Sequence, residues 1–233
     1  MMLDLIANNN WKRPIYFSGG AYDDEDFLWM KNYLQLDGMT YKLVPIKTEI
    51  PKDASPLERG GIDTDKMYAN VMKWDWGNSE SLSIYHDPET RKNSITYRSY
   101  LSRLMNQLIL EGKKEKAKNI ITLAMNKMPL EQFGYYSLLE PFAKGYYDLG
   151  ENAKAQDLLS KLILKYKENL KYYSSLTPSD QTSLAIDIIT DIERYRSLLL
   201  VMKESGDVTF YNKNKAQFNT YVSIFERFGR EKE

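Results

Sequence analysis

Residues 101–129, LSRLMNQLILEGKKEKAKNIITLAMNKMP, carry the clearest structural pattern in the chain. Apolar residues recur at helical spacing on both sides of Gly112, and that glycine permits a tight turn between two helices. Ala117 and Ala124 are small, so the second helix can approach the first closely. Pro129 ends the second helix, because proline lacks the amide hydrogen that an α-helix needs. The stretch therefore predicts a helical hairpin.

The pattern recurs in residues 139–167, LEPFAKGYYDLGENAKAQDLLSKLILKYK. Gly112 and Gly150 lie 38 positions apart, a period typical of helical hairpin repeats. The first copy resembles a tetratricopeptide repeat. The second copy lacks the terminal proline, so its last helix is expected to continue through residues 165–176. A looser third pair begins at Thr177-Pro178 and turns at Gly206-Asp207.

The region before this array has mixed patterns. LDLIA is typical of a helix end closed by residues 8–10, and PIYFS is a short apolar strand. Residues 23–38, DDEDFLWMKNYLQLDG, predict a helix, because Phe27, Met30 and Leu34 recur at helical spacing and a glycine follows. Residues 39–48 predict a second strand.

The rest of this region predicts mainly loops around one helix. Residues 49–62 have loop composition, and residues 63–74 predict a short helix capped by Asp63 or Thr64. Residues 74–94 are rich in turn formers, and long amphipathic helices are expected from about Ile95 onward.

These patterns predict an α+β fold that is mostly α. A small α/β segment with an irregular connection is expected over residues 1–92, truncated at its beginning. A tetratricopeptide-like array of antiparallel helical hairpins is expected over residues 93–233.

Composition argues against several classes of function. The 32 basic and 32 acidic residues leave no net charge, whereas nucleic-acid and polybasic membrane binders usually carry a basic excess. The chain has no cysteine and one histidine, so thiolate metal sites, disulfides and cysteine nucleophiles are excluded. No apolar run reaches the ~18–20 residues of a membrane span, and MMLDLIANNN is a poor signal peptide. We expect no cofactor, no metal, no bound nucleic acid and no membrane insertion of the chain itself.

The clusters that might suggest catalysis have simpler interpretations. The acidic run Asp23 to Asp26 complements the positive end of a helix dipole. The same acids argue against a phosphate site at Gly19-Gly20. His86 has no nucleophile motif around it and is interpreted as a loop residue. We therefore predict no catalytic residues here, and an autonomous hydrolase or transferase is disfavoured.

Two surfaces are candidate binding sites. The irregular segment contains three aromatic residues, Trp74, Trp76 and Tyr85. The favoured interpretation is that these side chains pack against the rest of the fold, and the alternative is that they stack on a glycan. The first helices of the hairpins would line a groove suited to a protein or peptide partner, although a purely structural stack fits equally well. Its expected lining residues are Ser102, Asn106, Ile109, Glu140, Lys144 and Tyr147.

Four runs together resemble a known family. They are residues 3–17 (LDLIANNNWKRPIYF), 33–48 (YLQLDGMTYKLVPIKT), 61–74 (GIDTDKMYANVM, ending in tryptophan) and 97–117 (YRSYLSRLMNQLILEGKKEKA). Their order and spacing resemble the C-terminal part of a Bacteroidetes family of multi-spanning membrane proteins of unknown function, which are related to protein O-mannosyltransferases.

The resemblance implies a soluble, periplasmic tail of a glycosyltransferase-like membrane protein, with the parent's catalytic acids elsewhere. The tail would act as a scaffold or dock an acceptor protein, with the membrane domain as its partner in cis and a glycan as a further ligand. The alternative is a free-standing tetratricopeptide-like interaction module with no enzyme partner. The sugar donor, the acceptor and the oligomeric state are not readable from these residues.

Overall fold

The computed structural model describes residues 2–18, 29–50 and 60–229. It confirms the predicted α+β, mostly α class, with a small sheet followed by a helical array. Its contacts divide the chain into two compact units, residues 1–134 and 135–233. The predicted division between residues 92 and 93 lies inside the first unit. As a boundary between separate domains, it stays a prediction.

The first unit contains a sheet and the first long helical hairpin. Its elements are α1 (Met2–Asn9), β1 (Tyr16–Ser18), β2 (Leu34–Asp37), β3 (Thr40–Leu43), β4 (Gly61–Ile62), α2 (Thr64–Val71), α3 (Pro88–Leu110), α4 (Lys114–Lys127) and α5 (Leu130–Phe133). As predicted, α1 ends in the asparagine run, and Asn10 has a φ of 48°. Asp63 caps α2 by accepting from the amide of Lys66.

The sheet has the strand order β1-β3-β2-β4 among the described residues. β3 pairs antiparallel with both β1 and β2, whereas β4 pairs parallel with β2. Alternate residues point inward, which buries Leu34, Leu36, Tyr41 and Leu43 on one face. Gln35 pairs with Gly61. Strand β4 thus lies within residues 49–62, which were predicted to be a loop.

The helix predicted over residues 23–38 is wrong where it can be compared with the structure. Residues 23–28 lie outside the described residues. Lys31–Tyr33 form a single 3-10 turn, and Leu34–Asp37 form strand β2. The alternation of Leu34 and Leu36 outweighed the helical spacing, because β3 offers a hydrogen-bonding partner along its whole length.

The first hairpin is formed by α3 and α4, as residues 101–129 predicted. Gly112 occupies the turn with a φ of 73°, and Ala117 and Ala124 are fully buried. α3 begins at Pro88, earlier than expected. The Asp87 carboxylate accepts from the amides of Glu89 and Thr90 and so caps the helix.

The second unit consists of packed helix pairs. Its elements are a 3-10 turn (Tyr136–Leu139), α6 (Glu140–Asp148), α7 (Asn152–Ser174), α8 (Pro178–Ser183), α9 (Ala185–Glu204), α10 (Val208–Ile224) and α11 (Glu226–Gly229). α6 packs on α7, α7 on α9, and α9 on α10. As predicted, α7 continues to Ser174 and Thr177 caps α8. Phe142, Tyr166 and Phe218 are among its buried aromatic side chains.

Candidate functional site

A cavity of about 390 Å³ in the first unit is lined by aromatic and polar side chains. This volume lies within the ~300–1,000 Å³ typical of small-ligand sites. Its lining residues are Met39, Trp74, Asp75, Trp76, Gly77, Ser79, His86, Thr90, Asn93, Ser94, Tyr97, Met128 and Phe133.

Four segments bring these residues together, and the β2–β3 turn contributes Met39. The connection between α2 and α3 contributes the two tryptophans. Helix α3 contributes Thr90, Asn93 and Tyr97, which share one face because residues three, four and seven positions apart align along a helix. The segment after α4 contributes Met128 and Phe133, both buried at the base.

Three aromatic rings form one wall. The ring centroids of Trp74 and Tyr97 are 5.5 Å apart and nearly perpendicular, and those of Trp76 and Tyr97 are also 5.5 Å apart. The two tryptophan rings are 5.7 Å apart. The Trp74–Tyr97 pair is edge-to-face and the other two pairs are tilted, and ring contacts at these distances are favourable, so the rings hold one another in place. Each of the three side chains is half-buried.

The connection that carries the tryptophans is fixed at several points. Gly38, in the β2–β3 turn, lies directly against Trp74: a Cβ atom there would be 3.4 Å from the indole ring. The Ser79 hydroxyl donates to the Lys127 carbonyl over 2.7 Å, and Glu80 forms an ion pair with the same lysine. The ion pair lowers the pKa of Glu80.

His86 is also part of this support. Its Nε2 atom lies 2.9 Å from the Ser79 carbonyl oxygen, and its ring is 4.6 Å from that of Phe133, centroid to centroid. The predicted loop histidine is therefore half-buried and packed, and it lines the cavity.

The base of the cavity rests on the fully buried Arg98. Its guanidinium donates to the Met128 carbonyl over 2.8 Å and to the Gly134 carbonyl over 2.5 Å. Burial lowers the pKa of Arg98 to about 10. These two bonds fix both ends of the segment that carries Phe133.

The rim of the cavity is polar and without basic side chains. Asp75, Gly77, Thr90 and Asn93 are exposed there. Asp75 accepts the amide of Gly77 over 2.9 Å, and the Thr90 hydroxyl donates to Asp87 over 2.6 Å. Among the described lining residues Asp75 is acidic and none is lysine or arginine. The rim therefore offers hydrogen bonds without a site for an anion.

The structure brings together two of the three predicted glycan-stacking residues. Trp74 and Trp76 share the cavity, whereas Tyr85 is 81% exposed and lines a separate hollow with Leu82 and Arg91. Sequence reasoning missed Tyr97 and Asn93. The sequence signal that could have identified them is the helix cap Asp87 followed by Pro88, because a helix that begins there includes both residues.

The six predicted groove residues lie in both units, three in each. In the first unit Ser102 is buried and its hydroxyl donates to the Ser99 carbonyl, Asn106 is exposed, and Ile109 is half-buried. Their role in docking stays a prediction.

In the second unit, Lys144 is exposed and forms an ion pair with Asp148 over 2.7 Å. The Glu140 carboxylate accepts from the Ser197 hydroxyl over 2.6 Å, and burial raises the pKa of this carboxyl. Tyr147 is buried. Its hydroxyl donates to the Asp207 carboxylate over 2.8 Å.

The acidic run Asp23 to Asp26 and Gly19-Gly20 lie outside the described residues. Within residues 2–18, 29–50 and 60–229, no three His, Asp or Glu side chains are grouped so that they could hold a metal ion.

A family model described as TMEM260-associated domain 2 matches residues 1–66. The match associates the sheet-forming part of the chain with TMEM260-type membrane proteins. No curated protein and no solved structure matches the chain. None of the helices in the described residues combines the length and apolar character that crossing a membrane requires.

Proposed function

We propose that this chain is a non-catalytic, extramembrane domain of a multi-spanning membrane protein related to glycosyltransferases, and that it docks the acceptor protein or acts as a scaffold. The match of residues 1–66 to TMEM260-associated domain 2 carries the proposal. The resemblance of the longer runs to the C-terminal part of O-mannosyltransferase-related membrane proteins supports it. In this proposal the domain lies on the periplasmic face of the inner membrane.

The chemistry of the cavity supports a binding role. Its titratable lining side chains are Asp75, His86 and Tyr97. Each has structural contacts: Asp75 with the Gly77 amide, His86 with Ser79 and Phe133, and Tyr97 with the two tryptophan rings. A general acid–base mechanism needs groups placed to exchange protons with a substrate. We therefore assign proton transfer to the parent's membrane part.

The test is the location of the native protein. An antibody raised against the chain should detect its antigen in the membrane fraction of the source cells, released by detergent and retained in high salt. Protease added after the outer membrane is permeabilised should digest the antigen while the inner membrane stays intact. Recovery from the soluble fraction would contradict the proposal.

The helix pairs of the second unit support the alternative, a free-standing tetratricopeptide-like interaction module. The α6–α7 and α9–α10 pairs have the short connections of such repeats. Soluble recovery of the antigen would favour this alternative.

Docking itself can be tested at Lys144 with a matched control. Lys144→Glu reverses a charge in the predicted groove, whereas Lys161→Glu reverses one on α7 outside it. Each lysine forms an exposed i,i+4 pair with an aspartate, Lys144 with Asp148 and Lys161 with Asp157. We expect Lys144→Glu to reduce photo-crosslinking of the partner in cells and Lys161→Glu to leave it unchanged. Equal crosslinking by both variants would contradict a role for Lys144 in docking.

A further inference from the structure

We propose that the cavity walled by Trp74, Trp76 and Tyr97 binds a neutral sugar ring. The geometry of the cavity supports a sugar site by itself. The assignment of the sugar to an acceptor glycan rests on the proposed function. The inference also replaces the exposed Tyr85 with Tyr97 as the third aromatic residue of the site.

The aromatic wall suits the apolar face of a sugar. A pyranose presents several C–H groups on one face, and their positive hydrogens are attracted to the negative face of an aromatic ring. The three rings contact one another at 5.5–5.7 Å, so the wall is held in place before any ligand arrives. A preformed wall loses little conformational entropy on binding.

The polar rim suits the hydroxyl groups of the same ligand. The exposed Asn93 side chain can donate and accept hydrogen bonds, and no side-chain partner for it is present among the described residues. The Asp75 carboxylate, also exposed, can accept from a hydroxyl group. Aromatic and polar groups thus converge on one cavity of about 390 Å³.

Charge selects a neutral ligand. A nucleotide or phosphate needs cationic partners, and the described lining residues include neither lysine nor arginine. Asp75 would repel a uronic acid. An apolar peptide side chain would leave the rim groups without partners, which disfavours that ligand.

The experiment uses the full chain with Trp11→Phe and Trp29→Phe. Both tryptophans are exposed, so their replacement should be tolerated, and all remaining indole fluorescence then comes from the cavity. The probes are the methyl glycosides of glucose, galactose and mannose, with methyl glucuronide as the charged counterpart. We expect at least one neutral glycoside to give a saturable change in emission with a Kd of about 1 mM, and the glucuronide to bind at least about tenfold more weakly.

A matched pair of variants locates the site. Asn93→Ala and Asn219→Ala each remove an exposed asparagine from a helix, Asn93 from α3 and Asn219 from α10, but only Asn93 lines the cavity. Asn93→Ala should weaken binding about three- to tenfold, the value of one hydrogen bond, and Asn219→Ala should leave it unchanged. Circular dichroism checks that both variants fold. Saturation-transfer NMR on the unmodified chain gives a second reading without any substitution.

Several outcomes would overturn the inference. They are no saturable response in fluorescence or NMR with any neutral glycoside, equal affinity for glucoside and glucuronide, or equal loss in the two asparagine variants. Saturable binding of a capped apolar peptide with no response to sugars would assign the cavity to a protein ligand instead. Failure here leaves the membrane location untouched, and sugar binding by an antigen recovered as a soluble protein would contradict only the proposed function.

Discussion

Arg98 connects the interior of the first unit to its cavity. A buried guanidinium is costly unless its donors are satisfied, and here two donors meet the carbonyl oxygens of Met128 and Gly134. The arginine therefore fixes both ends of the short segment that contains α5. The cavity depends on this interaction, because Met128 and Phe133 line it.

Asp65 links the start of α2 to the α3–α4 hairpin. Its carboxylate accepts from Lys116 over 2.7 Å and from Lys113 over 2.9 Å, and these bonds lower its pKa to about 2. Because the folded pKa lies below the ordinary 3.8, the folded state gains stability above about pH 4 and loses it as the pH falls toward 2. The side chain is exposed, so salt should weaken the effect.

We therefore predict that Asp65→Asn lowers the free energy of unfolding near neutral pH and changes it less at pH 2. Urea unfolding at both pH values measures the difference. Glu115→Gln is the control, since the ion pair of Glu115 with Lys118 lies within α4. A loss for Asp65→Asn that is independent of pH would contradict the assignment.

At the scale of the elements, two glycines have similar φ angles but different surroundings. Substituting each one distinguishes the cost of backbone strain from the cost of a steric clash. Gly60 has a φ of 69° and Gly112 a φ of 73°. A Cβ atom at Gly60 would lie 2.4 Å from the carbonyl oxygen of Leu34 in β2, whereas one at Gly112 would meet nothing within 4 Å. Gly60 is therefore required both by its angle and by the approach of β2.

We predict that Gly112→Ala destabilises the chain by about 1–2 kcal/mol, the cost of a left-handed conformation. Gly60→Ala should cost about 3 kcal/mol or more, because overpacking against a backbone carbonyl adds to that strain. Thermal and urea unfolding of the two variants gives the comparison. Equal losses would show that the chain moves away from β2 at no cost.

An element could be predicted from the sequence when the residues that determine it lie within one short segment. The α3–α4 hairpin followed from Gly112 and two buried alanines, all within one segment. Strand β2 did not, because Leu34 and Leu36 also fit a helical spacing and only the pairing with β3 decides between the two. The early start of α3 was missed although Asp87-Pro88 carries the same signal as Thr177-Pro178, which was recognised.

The candidate site shows the same limit. Trp74 and Trp76 could be singled out because aromatic residues in an irregular segment are unusual. Tyr97 could not, since it looks like one more apolar residue of a long helix. Its partnership with the tryptophans arises from folding of the α2–α3 connection across α3, and local periodicity contains no information on that.

At the scale of the whole molecule, the four tryptophans give a selective probe of one unit. They occupy positions 11, 29, 74 and 76, all within residues 1–134. Tryptophan fluorescence therefore reports unfolding of the first unit, whereas far-ultraviolet circular dichroism reports the helices of both units.

We predict that core substitutions in the two units affect these probes differently. Phe218→Ala removes a buried ring whose centroid is 5.2 Å from that of Tyr195, and it should destabilise the second unit by about 3–5 kcal/mol. The second unit's part of the dichroism change should move to lower urea while the fluorescence transition stays in place. Arg98→Met leaves two carbonyls without their donor and should lower the free energy of unfolding of the first unit by about 3 kcal/mol, which moves the fluorescence transition and the first unit's part of the dichroism change to lower urea. If Phe218→Ala shifted the fluorescence transition as far as the dichroism transition, the chain would unfold as one cooperative body and the division into two units would not extend to its stability.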